Sequence, residues 1–302
     1  MVQPLRLLCS LLLLASVSLW ARLADPGATG DLNWYLADAP IVLRAEIVSI
    51  SSPRLTFGKY LATAQLRVTR WYRGQPPAAV ALRFKHGGLQ MNGEICPNFE
   101  LGTHWLLLAR ERDGALELID DCNGAYRVSP ELGAAQSDPI ATMEADFLAG
   151  LASATPSHRL LSLERLANLR RPSSLPALRG VISHGSPIEV GWAVCAALRA
   201  GDVSLIPFAH SLLQAPLHNP LAPRIQFAIR ELRDPAAIPA LTEIAWSQSN
   251  AAKASAITAL GNMPTATSAV PAITANLNSE DEYVRRAARR AFAKLTNTPE
   301  PQ

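Results

Sequence analysis

Four prolines, Pro176, Pro207, Pro239 and Pro271, recur at intervals of 31, 32 and 32 residues, and no other feature restricts the fold of this 302-residue chain as tightly. Apolar residues follow each one at helical spacing: Leu178, Val181 and Ile182; Leu212 and Leu213; Leu241, Ile244 and Ala245; Ile273 and Leu277. Proline fits the first turn of a helix, where its missing N–H would find no partner anyway. Before the third proline, Ile225, Ala228, Ile229 and Leu232 form the i, i+3, i+4, i+7 stripe of a buried helix face. Each unit therefore predicts a helix, a short turn and a second helix. Such a unit cannot bury its apolar face alone; stacked neighbours supply the core, and a solenoid follows. The closing stretch "SEDEYVRRAARRAFAKL" continues the pattern. It has Ser279 and Glu282 in capping-box spacing and Val284, Ala287, Ala288, Ala291, Phe292 and Leu295 on one side.

Residues 40–127 have a different texture, with period-two alternation in short segments. "IVLRAEIVSI" sets Ile41, Leu43, Ala45 and Ile47 on one face against Arg44 and Glu46 on the other. "LATAQLRVTRWY" opposes Ala64, Leu66 and Val68 to Gln65, Arg67 and Thr69. "AVALRF", "HWLLLAR" and "ALELID" complete five expected strands, parted by turn-prone pieces such as "RGQPP", "KHGG" and "RDGA". Five such strands predict a small closed barrel, because closure removes exposed edges. "DLNWYLADAP" predicts a short helix ahead of the first strand.

Nearly half of the residues are hydrophobic (49%), so two sizeable cores can be filled. The formal charge is +3, and Arg6 and Arg22 supply two of those charges near the N-terminus. The balance argues against a general nucleic-acid or membrane-surface binder, which needs a concentrated basic footprint. Arg6 followed by the 14-residue apolar run "LLCSLLLLASVSLW" reads as a secretory signal over residues 1–24, too short for a typical membrane span. The expected location is periplasmic or secreted; retention of the segment as an N-terminal anchor is the alternative, and no integral membrane span remains once it is removed. Its loss takes Cys9 and leaves Cys96, Cys122 and Cys195.

Cys96 and His104, eight residues apart in "GEICPNFELGTHWLLLA", admit three readings: a thiol with its base, two metal ligands, or half of a disulfide. Spacing suggests no third residue to orient the histidine. The remaining histidines show no C-x-x-C, H-x-H or H-E-x-x-H arrangement, and no cofactor is expected. Cys195, alone among alanines in a helix, reads as a small buried apolar residue. Asp120 and Asp121 are adjacent strand-end residues that face opposite ways and suit a solvated turn. Arg285, Arg286, Arg289, Arg290 and Lys294 give the last helix a basic face, either a polar cap on the solenoid end or a surface for an acidic partner.

The "LRDPAAIPAL" unit and the closing "YVRRAARRAFAKL" make residues 157–298 resemble HEAT-type repeats, which implies a scaffold that binds other proteins on a curved surface. "ADAPIVLRAEIVSI", "LRVTRWYRG" and "CPNFELGTHWLLLA" make residues 32–128 resemble the netrin-like domain, the OB-type barrel of tissue inhibitors of metalloproteinases and of related exported bacterial proteins. That resemblance implies a Cys96–Cys122 disulfide, closing a loop of about 27 residues and contributing roughly 3–4 kcal/mol in the chain-entropy model. The inhibitors begin with a zinc-chelating Cys-x-Cys, and here no cysteine lies between Cys9 and Cys96. Altogether the sequence predicts an α+β multidomain chain: a small five-stranded OB-like β-barrel, a helical linker at 129–156, and an all-α HEAT-type solenoid. The function expected is non-enzymatic binding of an unknown protein partner, without nucleic acid. Regulation or inhibition of an extracytoplasmic protease, or an enzyme site between the domains, are the alternatives.

Overall fold

The structure is a computed structural model, described here for residues 32–56, 59–74, 80–85, 97–120, 124–214, 221–247 and 249–300. The chain divides into two compact units, the first running through Arg165 and the second starting at Leu166.

The first unit opens with α1 (Leu32–Asp38) and continues through β1 (Ile41–Ile50), β2 (Arg54–Thr56), β3 (Lys59–Arg73), β4 (Ala81–Lys85), β5 (His104–Arg112), β6 (Ala115–Leu118) and β7 (Ala125–Val128). Five of these strands close on themselves in the order β1-β3-β4-β6-β5, with β5 returning to β1. The β4–β6 pair is parallel, while the others in the ring are antiparallel. This is a closed five-stranded barrel of the OB type. The five strands coincide with the five alternating segments of the sequence. The short strands β2 and β7, which pair with β3 and β5, were not anticipated.

Alternation explains the interior. Leu43, Ala45 and Ile47 of β1 meet Ala62, Ala64, Leu82, Trp105, Leu107 and Leu116 in one core. Phe99 stacks edge-on against both Phe84 and Trp105, with ring centroids 4.7 and 4.6 Å apart. Trp105 to Leu108 are all buried and His104 is half-buried at the strand's start, as the apolar run suggests.

Arg44 departs from the alternating pattern. Period two puts it on the outer face, yet only 1% of it is exposed. The reason is α2 (Pro139–Leu151), which packs on β3 and carries the fully buried Asp146. Arg70 Nη1 lies 2.6 Å from Asp146 Oδ1, and Arg44 Nη1 lies 3.6 Å from Oδ2. Tyr72 Oη donates to Oδ2 at 2.5 Å, and the Gly133 N–H to Oδ1 at 2.7 Å. Burial first, and then the Asp146 carboxylate, push the Tyr72 phenol above its ordinary pKa, so it remains a donor. Arg44 Nη2 also donates to the Ser129 carbonyl, and Arg70 Nη2 to the Gly133 carbonyl at 3.0 Å. A single carboxylate from a helix thus bridges arginines on two barrel strands.

The helix α3 (Pro156–Leu169) leads into the second unit, which holds α4 (Leu175–His184), α5 (Pro187–Arg199), α6 (Ile206–Gln214), α7 (Ala222–Arg230), α8 (Ile238–Trp246), α9 (Asn250–Gly261), α10 (Val270–Thr274) and α11 (Glu282–Thr296). All four periodic prolines sit in the first turn of a helix, each directly after a 3₁₀ turn. The residue two positions later, Leu178, Ala209, Leu241 or Ile273, is fully buried every time. In the second unit of the repeat the core therefore takes Ile206 and Ala209, while the expected Leu212 and Leu213 are only half-buried. Helices α5, α7, α9 and α11 pack in succession, and α6, α8 and α10 form the adjoining row. The result is a two-layered helical solenoid.

The start of α11 also differs in detail from the sequence reading. Its cap is Asp281, whose carboxylate accepts the N–H groups of Tyr283 and Val284 at 2.9 and 3.1 Å, rather than Ser279. Asp281 stands directly before the first helical residue, where a short acceptor reaches those orphan donors. Of the anticipated stripe, Val284, Ala288 and Ala291 are buried.

Candidate functional site

A groove of about 380 Å³ runs between α9 and α11, with Arg230 contributed by α7. Its cations are Arg230, Arg286, Arg290 and Lys294, and its floor is small and uncharged, made by Ala254, Ser255, Thr258, Asn262 and Ala287. Tyr283, 79% exposed, is its one aromatic residue among the described residues.

Local chemistry leaves these cations available. Arg286 pairs with Glu282 one helical turn earlier, both being more than half exposed; exposed pairs of this kind contribute roughly 0–1 kcal/mol, so an incoming carboxylate can compete. Lys294 Nζ donates to Asn262 Oδ1 at 2.8 Å. Arg230 lies over the Phe227 ring, 4.8 Å from its centroid. Arg290 has no ion pair or hydrogen bond among the described residues. Close approach of the two helices is set at one point by Gly261, where a Cβ would stand 2.6 Å from both Ala291 Cα and Ala291 Cβ.

The groove gathers three of the five cations that the sequence places on the last helix. Arg286, Arg290 and Lys294 line it. Arg285 and Arg289 do not, and Arg285 Nη1 is instead tied to the Ser279 carbonyl at 2.6 Å. Arg230 and Tyr283 are additions that sequence reasoning missed. One signal was present: Arg230, Asn262 and Lys294 lie 32 residues apart, the interval of the repeat itself, so a polar position recurs on successive helices.

The other candidate residues fall as follows. Cys96 and Cys122 lie outside the described residues, as do residues 1–31 and Asp121. Cys195 is buried and unpaired, and burial raises its thiol pKa to about 12. At neutral pH it holds almost no thiolate, the reactive form. We expect the folded protein to leave Cys195 unmodified by a maleimide at pH 7.5, with labelling appearing only in denaturant; mass spectrometry with and without urea reads the difference. Asp120 Oδ2 accepts from Tyr35 Oη at 3.5 Å. Among the described residues no three His, Cys, Asp or Glu side chains gather as a metal site would require.

One polar cluster in the first unit invites comparison with hydrolytic machinery. His158 Nδ1 lies 3.3 Å from Glu131 Oε1 and 3.3 Å from Ser153 Oγ. A relay needs the carboxylate on one ring nitrogen and the hydroxyl on the other. Here both compete for Nδ1, and Ser153 Oγ also accepts the Thr155 N–H at 3.3 Å, so the cluster fastens backbone rather than activating Ser153. His104 is different in kind: burial first, and the Arg44 charge second, lower its pKa, with Glu46 opposing them. The unfolded chain therefore takes up this proton more readily, and stability falls as pH drops from about 6.5 toward the lower folded value. Relative to His104→Gln, the natural protein should lose stability between pH 7.5 and 5.5, as urea midpoints at each pH will show.

The two units together make an α+β protein of two parts in chain order, a closed five-stranded barrel and then a two-layered helical solenoid. A model of the HEAT-repeat family matches residues 221–293, the stretch that holds α7 to α11 up to Ala293. No curated protein gives a match. Among solved structures, an engineered protein is 17% identical over 53% of this chain and 83% of its own, with a TM-score of 0.33. A designed armadillo repeat protein is 16% identical over 52% of this chain and 86% of its own, at 0.34. A second engineered protein is 17% identical over 53% and 51%, at 0.33.

Proposed function

We propose that this chain is an exported, non-enzymatic scaffold that binds another protein through the groove of its repeat array. The observation that carries this reading is the groove itself: four cations around a small neutral floor, on repeats of a kind that serves protein interaction. No helix among the described residues is long and apolar enough to cross a membrane. The apolar run behind Arg6 supports export, and the barrel's closed strand order supports the netrin-like reading, in which Cys96 pairs with Cys122. An oxidising compartment favours such a pair.

Affinity-tagged protein recovered from the extracytoplasmic fraction of its native cells tests the reading. A specific partner at stoichiometric yield is the expected result. Recovery of no partner, or of the chain in the cytoplasm alone, would remove it. Unreduced peptide mapping of the same material should give one Cys96–Cys122 cross-linked peptide; two free thiols would take the disulfide out of the proposal.

A further inference from the structure

Three of the groove's cations have a spacing that selects a ligand shape. Arg286, Arg290 and Lys294 stand four residues apart on α11, and each step advances about 6 Å along the helix axis. An extended chain advances about 3.3–3.4 Å per residue and turns alternate side chains to the same side, so every second residue recurs at roughly 6.6–6.8 Å. The two ladders match within an ångström per step over three rungs. The floor between them, with Ala254, Ser255, Thr258 and Ala287, has no bulk to obstruct a backbone lying against it.

Building on the scaffold reading above, we propose that the groove between α9 and α11 takes an extended acidic segment of a partner protein, with carboxylates at alternate positions meeting Arg286, Arg290 and Lys294. Charge complementarity is the selecting force. Among the described residues the groove's cations meet one acid, Glu282, which pairs with Arg286 on the exposed rim. Arg290, the middle rung, is unengaged among the described residues and receives the central carboxylate at full strength. Guanidinium pairs of this kind are geometrically specific as well as strong. Single-stranded nucleic acid is the competing anion, but its binding relies on successive aromatic side chains under successive bases, and Tyr283 stands alone here.

The test uses the full mature chain and labelled peptides of roughly a dozen residues, about 40 Å when extended, read by fluorescence polarisation. One peptide alternates Glu with Ser, a second has the same composition with its Glu residues in one block, and a labelled oligothymidylate serves as the third probe. At about 0.15 M salt, where long-range attraction is screened, the alternating peptide should bind best. Arg290→Glu should weaken it about tenfold or more, because reversal replaces an attraction with a repulsion. Arg112→Glu, an equal charge change on an exposed barrel strand end, should leave binding as it was. Circular dichroism confirms that each variant is folded; Arg290 is exposed, so its replacement leaves the core intact.

Equal affinity of the alternating peptide for natural protein and Arg290→Glu would overturn the proposal, as would no binding at all. Equal affinity for alternating and blocked peptides would overturn the register. Tighter binding of the oligothymidylate would assign the groove to nucleic acid instead. Recovery of the native partner separates this from the scaffold reading. A partner retained equally by natural protein and Arg290→Glu keeps the scaffold and discards the acidic groove, whereas no partner from either discards the scaffold.

Discussion

Asp146→Asn is expected to cost the first unit about 3–5 kcal/mol, the range seen when one partner of a buried ion pair is removed. That is a large share of the roughly 5–15 kcal/mol that holds an ordinary domain folded. The magnitude follows from what the substitution strands. Arg44 is 1% exposed and has no route to water, while Arg70, at 18%, can swing partly outward. Asparagine keeps the size and can still accept from Tyr72, but it cannot balance the Arg44 charge. The urea midpoint followed by tryptophan fluorescence reads the loss. Adding Arg44→Met should recover part of it, because the double change removes the stranded charge along with its partner. Lack of recovery would mean that the loss comes from packing of α2 and not from the charge.

Gly261→Val carries the second large effect, about 1–3 kcal/mol of destabilisation, since three carbons must enter a contact that has no room for one. A Cβ at this position already lies 2.6 Å from the Ala291 Cα, which is backbone and cannot rotate away. The helices α9 and α11 must separate, and the groove they form widens with them. The variant should therefore lose both thermal stability and affinity for the alternating acidic peptide. A stable Gly261→Val with unchanged binding would show that α11 can slide along α9 without cost.

The repeat and the barrel were both readable because each rests on a local rule. Within a helix proline fits only the first turn, so four of them at intervals of 31 or 32 residues, each followed by apolar residues at helical spacing, mark four helix starts. Period-two alternation likewise marks a strand with one face inward. Arg44 escaped that logic. Its burial depends on Asp146, which is 102 positions along the chain and sits on a helix whose docking no local pattern announces. The groove was half legible for a similar reason. The row Arg286, Arg290, Lys294 is visible on one helix, but that it borders a groove against α9 depends on Gly261 and Ala291 meeting. Leu212 and Leu213 looked like core by hydrophobicity, and Ala209 took the buried position because it follows its proline by the same two residues as Leu178, Leu241 and Ile273.

The Arg44–Asp146 contact also fixes an order of events at birth. A chain emerges from its N-terminus, so all five barrel strands are made before the residue that pairs with Arg44 exists. Until residue 146 is out, the nascent barrel must keep Arg44 hydrated and its outer face uncovered, open to holding factors. A fragment ending at residue 128 would remain in that condition permanently, and anyone expressing the barrel alone should carry it through α2.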